Sequence, residues 1–110
     1  MITQKRMTIP IFDYKLTVII YDDWNEAKHL FDDGNESRGI TDIYKGAAVV
    51  GINKKFKSTV VHEAEHIKNA LWEHIGYTPQ AGNDEVDAYL LTYIYEKIMA
   101  VFDKHDSKSS

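Results

Sequence analysis

The segment Thr59–Ile75 constrains the fold of this chain most, because its pattern is that of an amphipathic helix. Neither proline nor glycine occurs between Ser58 and Gly76. Ser58 is a suitable N-cap residue, and Gly76 stands where helices often end in a left-handed residue. At about 100° per residue, one face of the helix is apolar, and this stripe consists of Val60, Ala64, Ile67, Leu71 and Ile75. The rest of the chain must therefore supply a core for this stripe.

The same helix carries the pattern His62-Glu63-Ala64-Glu65-His66 beside its apolar stripe. Residues four apart on a helix differ by about 40° in direction and about 6 Å in rise, so both imidazoles can reach one ion. In the His-Glu-x-x-His motif, two histidines hold zinc and the glutamate acts as general base. The alternative is a solvated helix that displays these side chains by chance. The uninterrupted helical context favours the zinc site.

A catalytic zinc ion usually has three protein ligands, so one must be found beyond the two histidines. The chain contains no cysteine. His74 lies two turns beyond His66 on the same helix, too far along the axis to reach the same ion. Carboxylates follow a Gly-Tyr-Thr-Pro turn that would bring a second helix back antiparallel. These candidates, in order of preference, are Glu85, Asp87 and Asp84.

The second helix is predicted to begin after Asn83 or Asp84 and to run to about Asp103. Glu85 lies on its polar stripe, whereas Asp87 falls within its apolar arc. A buried carboxylate is costly unless it has a partner, so Asp87 is expected to be either a ligand itself or an acceptor for a histidine N–H.

The combination of His62, Glu63 and His66 with Glu85 on the next helix resembles the gluzincin branch of zinc metallopeptidases. It is most similar to very small, single-domain HExxH proteins of phages and prophages, and the likeness covers Thr59–Ile94. The resemblance implies zinc as cofactor, held by His62, His66 and Glu85, with Glu63 as the base. Larger gluzincins have a second subdomain that completes the substrate cleft, which is not expected in a chain of 110 residues.

Upstream of this helix, strand-like segments alternate with turns. The predicted elements are strands over 8–12 and 15–21, a short helix over 24–31, and a strand pair over 40–44 and 47–53. Pro10 makes the first strand an edge strand. Strands followed by long helices indicate an α+β fold, here a small zincin-like domain with an antiparallel or mixed sheet. Residues 1–103 are expected to form one domain, and 104–110 a flexible tail with a solvated His105.

Two further segments allow a functional and a structural interpretation. The segment Asp32–Ser37 resembles a calcium loop in composition but lacks its spacing, so a solvated turn is favoured. A strand near the metal helix is rich in small residues, which either admit a substrate backbone or pack tightly under the helix. These residues are Gly46, Ala47, Ala48 and Gly51.

Composition restricts the class of protein. A net charge of −4 argues against a dedicated nucleic-acid surface, which normally shows as a basic patch. No secretion signal or membrane span is apparent, and the lack of cysteine fits a reducing compartment. A cytoplasmic protein is therefore expected. The sequence sets no oligomeric state.

The sequence predicts a zinc-dependent metallohydrolase that cleaves peptide or amide bonds of a peptide or protein substrate. Glu63 would take a proton from a zinc-activated water and pass it to the leaving amine. Tyr77, His74 and Tyr89 are unranked candidates for stabilising the oxyanion.

Two other classes of function remain open. One is a catalytically silent zinc-binding module of a phage or prophage, in which the metal joins two helices or engages a partner. The other is a regulatory or inhibitory protein that binds its partner through the aromatic segment Tyr89–Tyr95.

Overall fold

The described part of the chain folds into a mixed four-stranded sheet and three helices. The structure, a computed structural model, describes residues 1–32, 34–35 and 38–109. The strands are β1 (Ile2–Ile9), β2 (Tyr14–Tyr21), β3 (Gly39–Tyr44) and β4 (Ala47–Asn53). The helices are α1 (Trp24–Ala27), α2 (Thr59–Ile75) and α3 (Glu85–Ser109), and a 3-10 turn, Lys28–Leu30, follows α1. The α+β class and the mixed sheet are as predicted.

The strand order places β1 and β3 at opposite edges of the sheet. The order is β1-β2-β4-β3, with β1 and β3 antiparallel to their neighbours and β2 parallel to β4. β1 is an edge strand, as predicted, but the predicted bounds 8–12 are wrong, because the strand spans Ile2–Ile9 and ends before Pro10. The turn after it holds Ile11 and Asp13 at positive φ. Pro10 cannot donate to a ladder, and so it lies in this turn.

The two faces of the sheet are covered unequally. α2 and α3 pack on one face, and alternate residues of β2 and β4 point into this main core. The buried strand residues there are Leu16, Val18, Ile20, Ala48, Val50 and Ile52. A smaller cluster on the other face joins β2 to Ala27 and Phe31. A Cβ on Gly51 would come within 2.3 Å of Phe31, so tight packing explains this glycine.

Of the two capping residues predicted for α2, the structure confirms the one at the C-terminal end. Gly76 ends the helix in the left-handed region, at φ 75°, as predicted. The predicted N-cap is wrong, because Ser58 has helical dihedrals and its side chain makes no capping hydrogen bond. Instead, the N–H groups of Thr59 and Val60 donate to the carbonyls of Phe56 and Lys57 in the turn before the helix.

α3 extends beyond its predicted end and includes most of the segment expected to be a tail. His105 lies within it and is completely buried, so the expectation of a solvated side chain is wrong. Its two ring nitrogens lie within hydrogen-bond distance of Thr3 and Asp22. Partners so distant in sequence leave no local signal.

No helix in the described ranges combines the length and the apolar character needed to cross a bilayer. The segment Asp32–Ser37 lies partly outside the described residues, at Asp33, Glu36 and Ser37.

Candidate metal centre

α2 brings His62 and His66 together at the surface. Their Nε2 atoms are 3.2 Å apart, and the ring planes are nearly perpendicular, at 85°. Two nitrogens on one tetrahedral zinc ion, each at about 2.0–2.1 Å from the metal, lie about 3.3–3.4 Å from each other. The same distance also fits a hydrogen bond between the two rings. The spacing of the pair therefore fits either a shared zinc ion or a direct hydrogen bond between the rings.

Glu63 lies beside the histidine pair and is buried, with 5% of its surface exposed. Its Oε1 accepts a hydrogen bond of 2.8 Å from the hydroxyl of Thr41 on β3. Its Oε2 is 3.8 Å from the Nε2 of His62, which is too long for a hydrogen bond. The edge strand therefore orients the carboxylate that the sequence predicts as the base. Thr41 was not predicted, since no motif links it to the helix.

Gly39 allows β3 to approach α2 closely at this point. A Cβ there would lie 2.6 Å from the Cγ2 of Thr59 and 3.2 Å from the Cγ of Glu63. The small residues considered in the sequence analysis run from Gly46 to Gly51, in and just before β4. The glycine that adjoins the histidine pair is instead Gly39, the first residue of β3.

A groove of about 590 Å³ runs between β3 and α2 and contains the histidine pair. Its main side chains are Thr41, Ile43, His62, His66, Asn69 and Glu73. Ile43 is half exposed, so the groove has one apolar wall beside its polar groups. β3 is the last strand of the sheet, and among the described residues no strand pairs with its outer side.

The structure does not gather a third ligand around His62 and His66. Glu85 is the first residue of α3 and is exposed. Within residues 1–32, 34–35 and 38–109, no three histidine, cysteine or carboxylate side chains form a group suited to a metal. Neither Glu85 nor Asp84 therefore joins the histidine pair in this arrangement, and Glu85 as a zinc ligand stays a prediction.

Asp87 instead joins α3 to a different part of α2. Its carboxylate accepts hydrogen bonds from Lys68 Nζ at 2.8 Å and from Trp72 Nε1 at 2.7 Å. The Lys68 ammonium lowers the pKa of Asp87 through this hydrogen bond. The donors to Asp87 are thus Lys68 and Trp72 rather than a histidine, and Asp87 as a metal ligand stays a prediction. Lys68 is buried and also pairs with Glu65 at 2.7 Å.

The three predicted oxyanion donors lie away from the groove. Tyr77 packs against Trp72, with ring centroids 4.6 Å apart, and His74 packs against Tyr14. Tyr89 is exposed on the first turns of α3. The uncharged polar side chains that line the groove beside the histidines include Thr41 and Asn69, and the carboxylates of Glu63 and Glu73 line it as well.

No protein-family model matches this chain, and no match was found among curated proteins or solved structures. Function must therefore be inferred from the side chains of the groove.

Proposed function

We propose that the groove between β3 and α2 is the active site of a small, zincin-like, zinc-dependent hydrolase that cleaves a peptide or amide bond. The observation that carries the proposal is the 3.2 Å separation of the two Nε2 atoms of His62 and His66. The buried carboxylate of Glu63 beside them adds the base that such a reaction needs. The resemblance of the HExxH helix to gluzincins supports the same conclusion.

The donor set suits zinc, because two imidazoles from one helix turn are a common part of catalytic zinc sites. His62 and His66 would hold the ion, and Glu85 is the third ligand that the sequence resemblance assigns. When bound, zinc would act as a Lewis acid toward the scissile carbonyl and lower the pKa of a water molecule.

Glu63 would take the proton of the attacking water and deliver it to the leaving amine. One of its oxygens is held by the Thr41 hydroxyl, which fixes the orientation of the carboxylate. The other oxygen lies on the side of His62. General-base catalysis of this kind typically contributes about 10²–10⁴-fold in rate.

The position of the groove favours an extended peptide as substrate. The outer edge of β3 carries backbone N–H and C=O groups, and within the described ranges no further strand is paired with this edge. An extended peptide matches such an edge through main-chain hydrogen bonds. Ile43 offers an apolar contact for one of its side chains.

The proposal is tested by measuring zinc content and hydrolysis of a quenched fluorescent peptide library together. Glu63→Gln should keep zinc and lose about 10²-fold or more in hydrolysis. His62→Ala and His66→Ala should lose zinc, whereas His29→Ala, at an exposed histidine elsewhere, should retain it. If the wild-type protein takes up no zinc, the proposed metal site is wrong. Full activity in Glu63→Gln would remove the general-base role.

The third ligand is tested by the same zinc measurement. Glu85→Gln should weaken zinc binding about 10–100-fold or more, because a ligand contributes at least as much as the groups that orient it. Asp84→Asn is the matched control at the adjacent carboxylate. Equal effects of the two substitutions would remove Glu85 from the site.

A catalytically silent zinc-binding protein is the second candidate, because the described part of the chain gathers two imidazoles, one short of the three protein ligands usual for catalytic zinc. Zinc uptake without hydrolysis of any library peptide would select it. A stoichiometric complex with a partner protein that still forms with the Glu63→Gln variant would also support this second candidate.

A further inference from the structure

A second groove lies at the opposite edge of the sheet from the histidine pair. It has a volume of about 360 Å³ and runs between β1 and α3. Lys5 on β1 and Lys97 and Lys104 on α3 border it, and none of the described side chains that line it is acidic. Met7 and Val101 supply apolar surface between them.

The three ammonium groups give this groove a positive charge in a protein whose net charge is −4. In the described parts of the chain, none of the three forms an ion pair with a carboxylate. The Nζ of Lys97 lies 5.2 Å from the ring centroid of Tyr93. The nearest acids on α3, Glu96 and Asp103, lie about 90–110° around the helix from this basic stripe.

The strand wall of the groove is an open sheet edge. β1 pairs with β2 along its whole length, from Ile2 to Ile9, and no strand of the described part of the chain lies on its other side. In an antiparallel pair, alternate residues direct their backbone N–H and C=O groups away from the partner. These outward groups form a template for one more strand, while positive side chains on an edge discourage pairing with a like-charged copy.

We propose that this groove binds an extended acidic peptide segment of a partner protein, which adds as a strand to β1. Its main chain pairs with the free edge, and its carboxylates lie against Lys5, Lys97 and Lys104. Side chains on one face of a strand repeat about every 7 Å. The helical rise from Lys97 to Lys104 is about 10 Å, so acids at every second position bring at least two carboxylates within reach.

The chemistry of the groove favours a peptide over other polyanions. A strand edge offers alternating donors and acceptors that a peptide backbone matches and a sugar-phosphate backbone does not. Single-stranded nucleic acid is usually held by aromatic stacking along a longer positive channel. The face of Tyr93 is covered here by Lys97.

The test is fluorescence anisotropy with a labelled peptide that has glutamate at every second position. The protein should bind it at low ionic strength and more weakly as salt is added. Lys97→Glu with Lys104→Glu should weaken binding about tenfold or more. Lys28→Glu with Lys55→Glu, the same charge change at exposed lysines outside the groove, should leave it within about twofold.

Two altered peptides distinguish the contribution of the side-chain charges from that of the backbone hydrogen bonds. Replacing glutamate by glutamine should abolish binding, because the charges are lost. N-methylation of alternate backbone amides keeps every charge but removes half of the donors, and should weaken binding about tenfold. Lys97→Gln with Lys104→Gln gives a milder variant if the charge reversal does not fold, and it should also weaken binding.

Several results would overturn this proposal. The first is that the protein does not bind the peptide. The second is that the two double lysine variants lose affinity for the peptide equally. The third is that the N-methylated peptide binds as well as its parent. Tighter binding of an oligonucleotide or of anionic vesicles would assign the groove to another class of ligand. The proposal is independent of the zinc site, so Glu63→Gln should bind the peptide unchanged.

Discussion

Glu63 owes its position to two residues of β3 that lie far from it in sequence. Thr41 donates a hydrogen bond to its carboxylate, and Gly39 leaves room for its Cγ. Loss of the donor to a buried carboxylate costs about 1–3 kcal/mol or more of stability, so the strand is as necessary as the helix for placing this side chain. At the scale of single residues, the position of Glu63 therefore depends on the packing of β3 against α2 as well as on the HExxH motif.

Gly39→Ala should disturb this contact directly. The new methyl group would meet Thr59 at 2.6 Å, so β3 and α2 must move apart. We expect a loss of about 1–3 kcal/mol in the free energy of unfolding, as is usual for overpacking. Hydrolysis should fall with it because Glu63 shifts. Urea unfolding and the peptide assay measure the two effects.

Gly34→Ala is the matched control, since nothing lies within 4 Å of a Cβ at that position. It should stay within about 0.5 kcal/mol of wild type. If Gly39→Ala also left both stability and hydrolysis unchanged, the close approach of β3 would have no role in the site.

At the scale of elements, α2 and α3 are joined by a buried polar cluster inside an otherwise apolar interface. Lys68 is only 5% exposed, and burial works against its charge. Hydrogen bonds to Asp87 and Glu65 outweigh this effect and raise the pKa of Lys68. The Trp72 indole donates to the same carboxylate of Asp87. Every buried polar side-chain atom described in the cluster thus has a hydrogen-bond partner, which fixes how the two helices pack.

Asp87→Ala should destabilise the protein by about 2–4 kcal/mol, because it leaves the Trp72 N–H without its acceptor and weakens the pairing of Lys68. Lys68→Met should cost less, since Asp87 keeps its bond from Trp72 and has 20% of its side chain exposed. Urea unfolding monitored by circular dichroism measures both.

Asp103→Ala removes an exposed carboxylate of the same helix and should stay within about 0.5 kcal/mol of wild type. An effect of Asp87→Ala no larger than this control would show that the cluster contributes nothing to the packing of α2 on α3.

Sequence reasoning succeeded where the signal is local. The bounds of α2, the β3–β4 pair and the meeting of His62 with His66 follow from helical period, turn residues and spacing within one element. It failed where partners are distant. Thr41 and Glu63 are separated by 22 positions, and Lys68 and Asp87 by 19. The apolar position of Asp87 was predicted to need a partner, but the sequence does not say which side chain provides it.

At the scale of the whole molecule, His105 joins the first strand to the end of the last helix. One ring nitrogen lies 2.8 Å from the Thr3 hydroxyl, and the other lies 2.7 Å from Asp22 Oδ1. The hydrogen bond from His105 lowers the pKa of Asp22 to about 2. The Met1 amine and the Lys54 ammonium act in the same direction. The first contact joins residues that are 102 positions apart in the sequence, and the second joins residues that are 83 positions apart. Both contacts therefore depend on the whole fold being formed.

The pKa of Asp22 makes a prediction about stability and pH. Its folded-state value of about 2 lies below the ordinary 3.8, so the ionised carboxylate stabilises the fold at every pH above about 4. This contribution must be lost as the pH falls from about 4 to about 2, because the unfolded chain takes up the proton first. Asp22→Asn should be less stable than wild type near neutral pH.

The free energy of unfolding in urea, measured for both proteins from neutral pH to about 2, checks this expectation. The difference between wild type and Asp22→Asn should shrink over the acid range, since only wild type loses a contribution there. Asp103→Asn, which removes an exposed carboxylate, should run parallel to wild type throughout. A gap between wild type and Asp22→Asn that stays constant down to the lowest pH would mean that Asp22 contributes through packing or neutral hydrogen bonds. In that case, the charge of its carboxylate would not be what ties the first strand to the last helix.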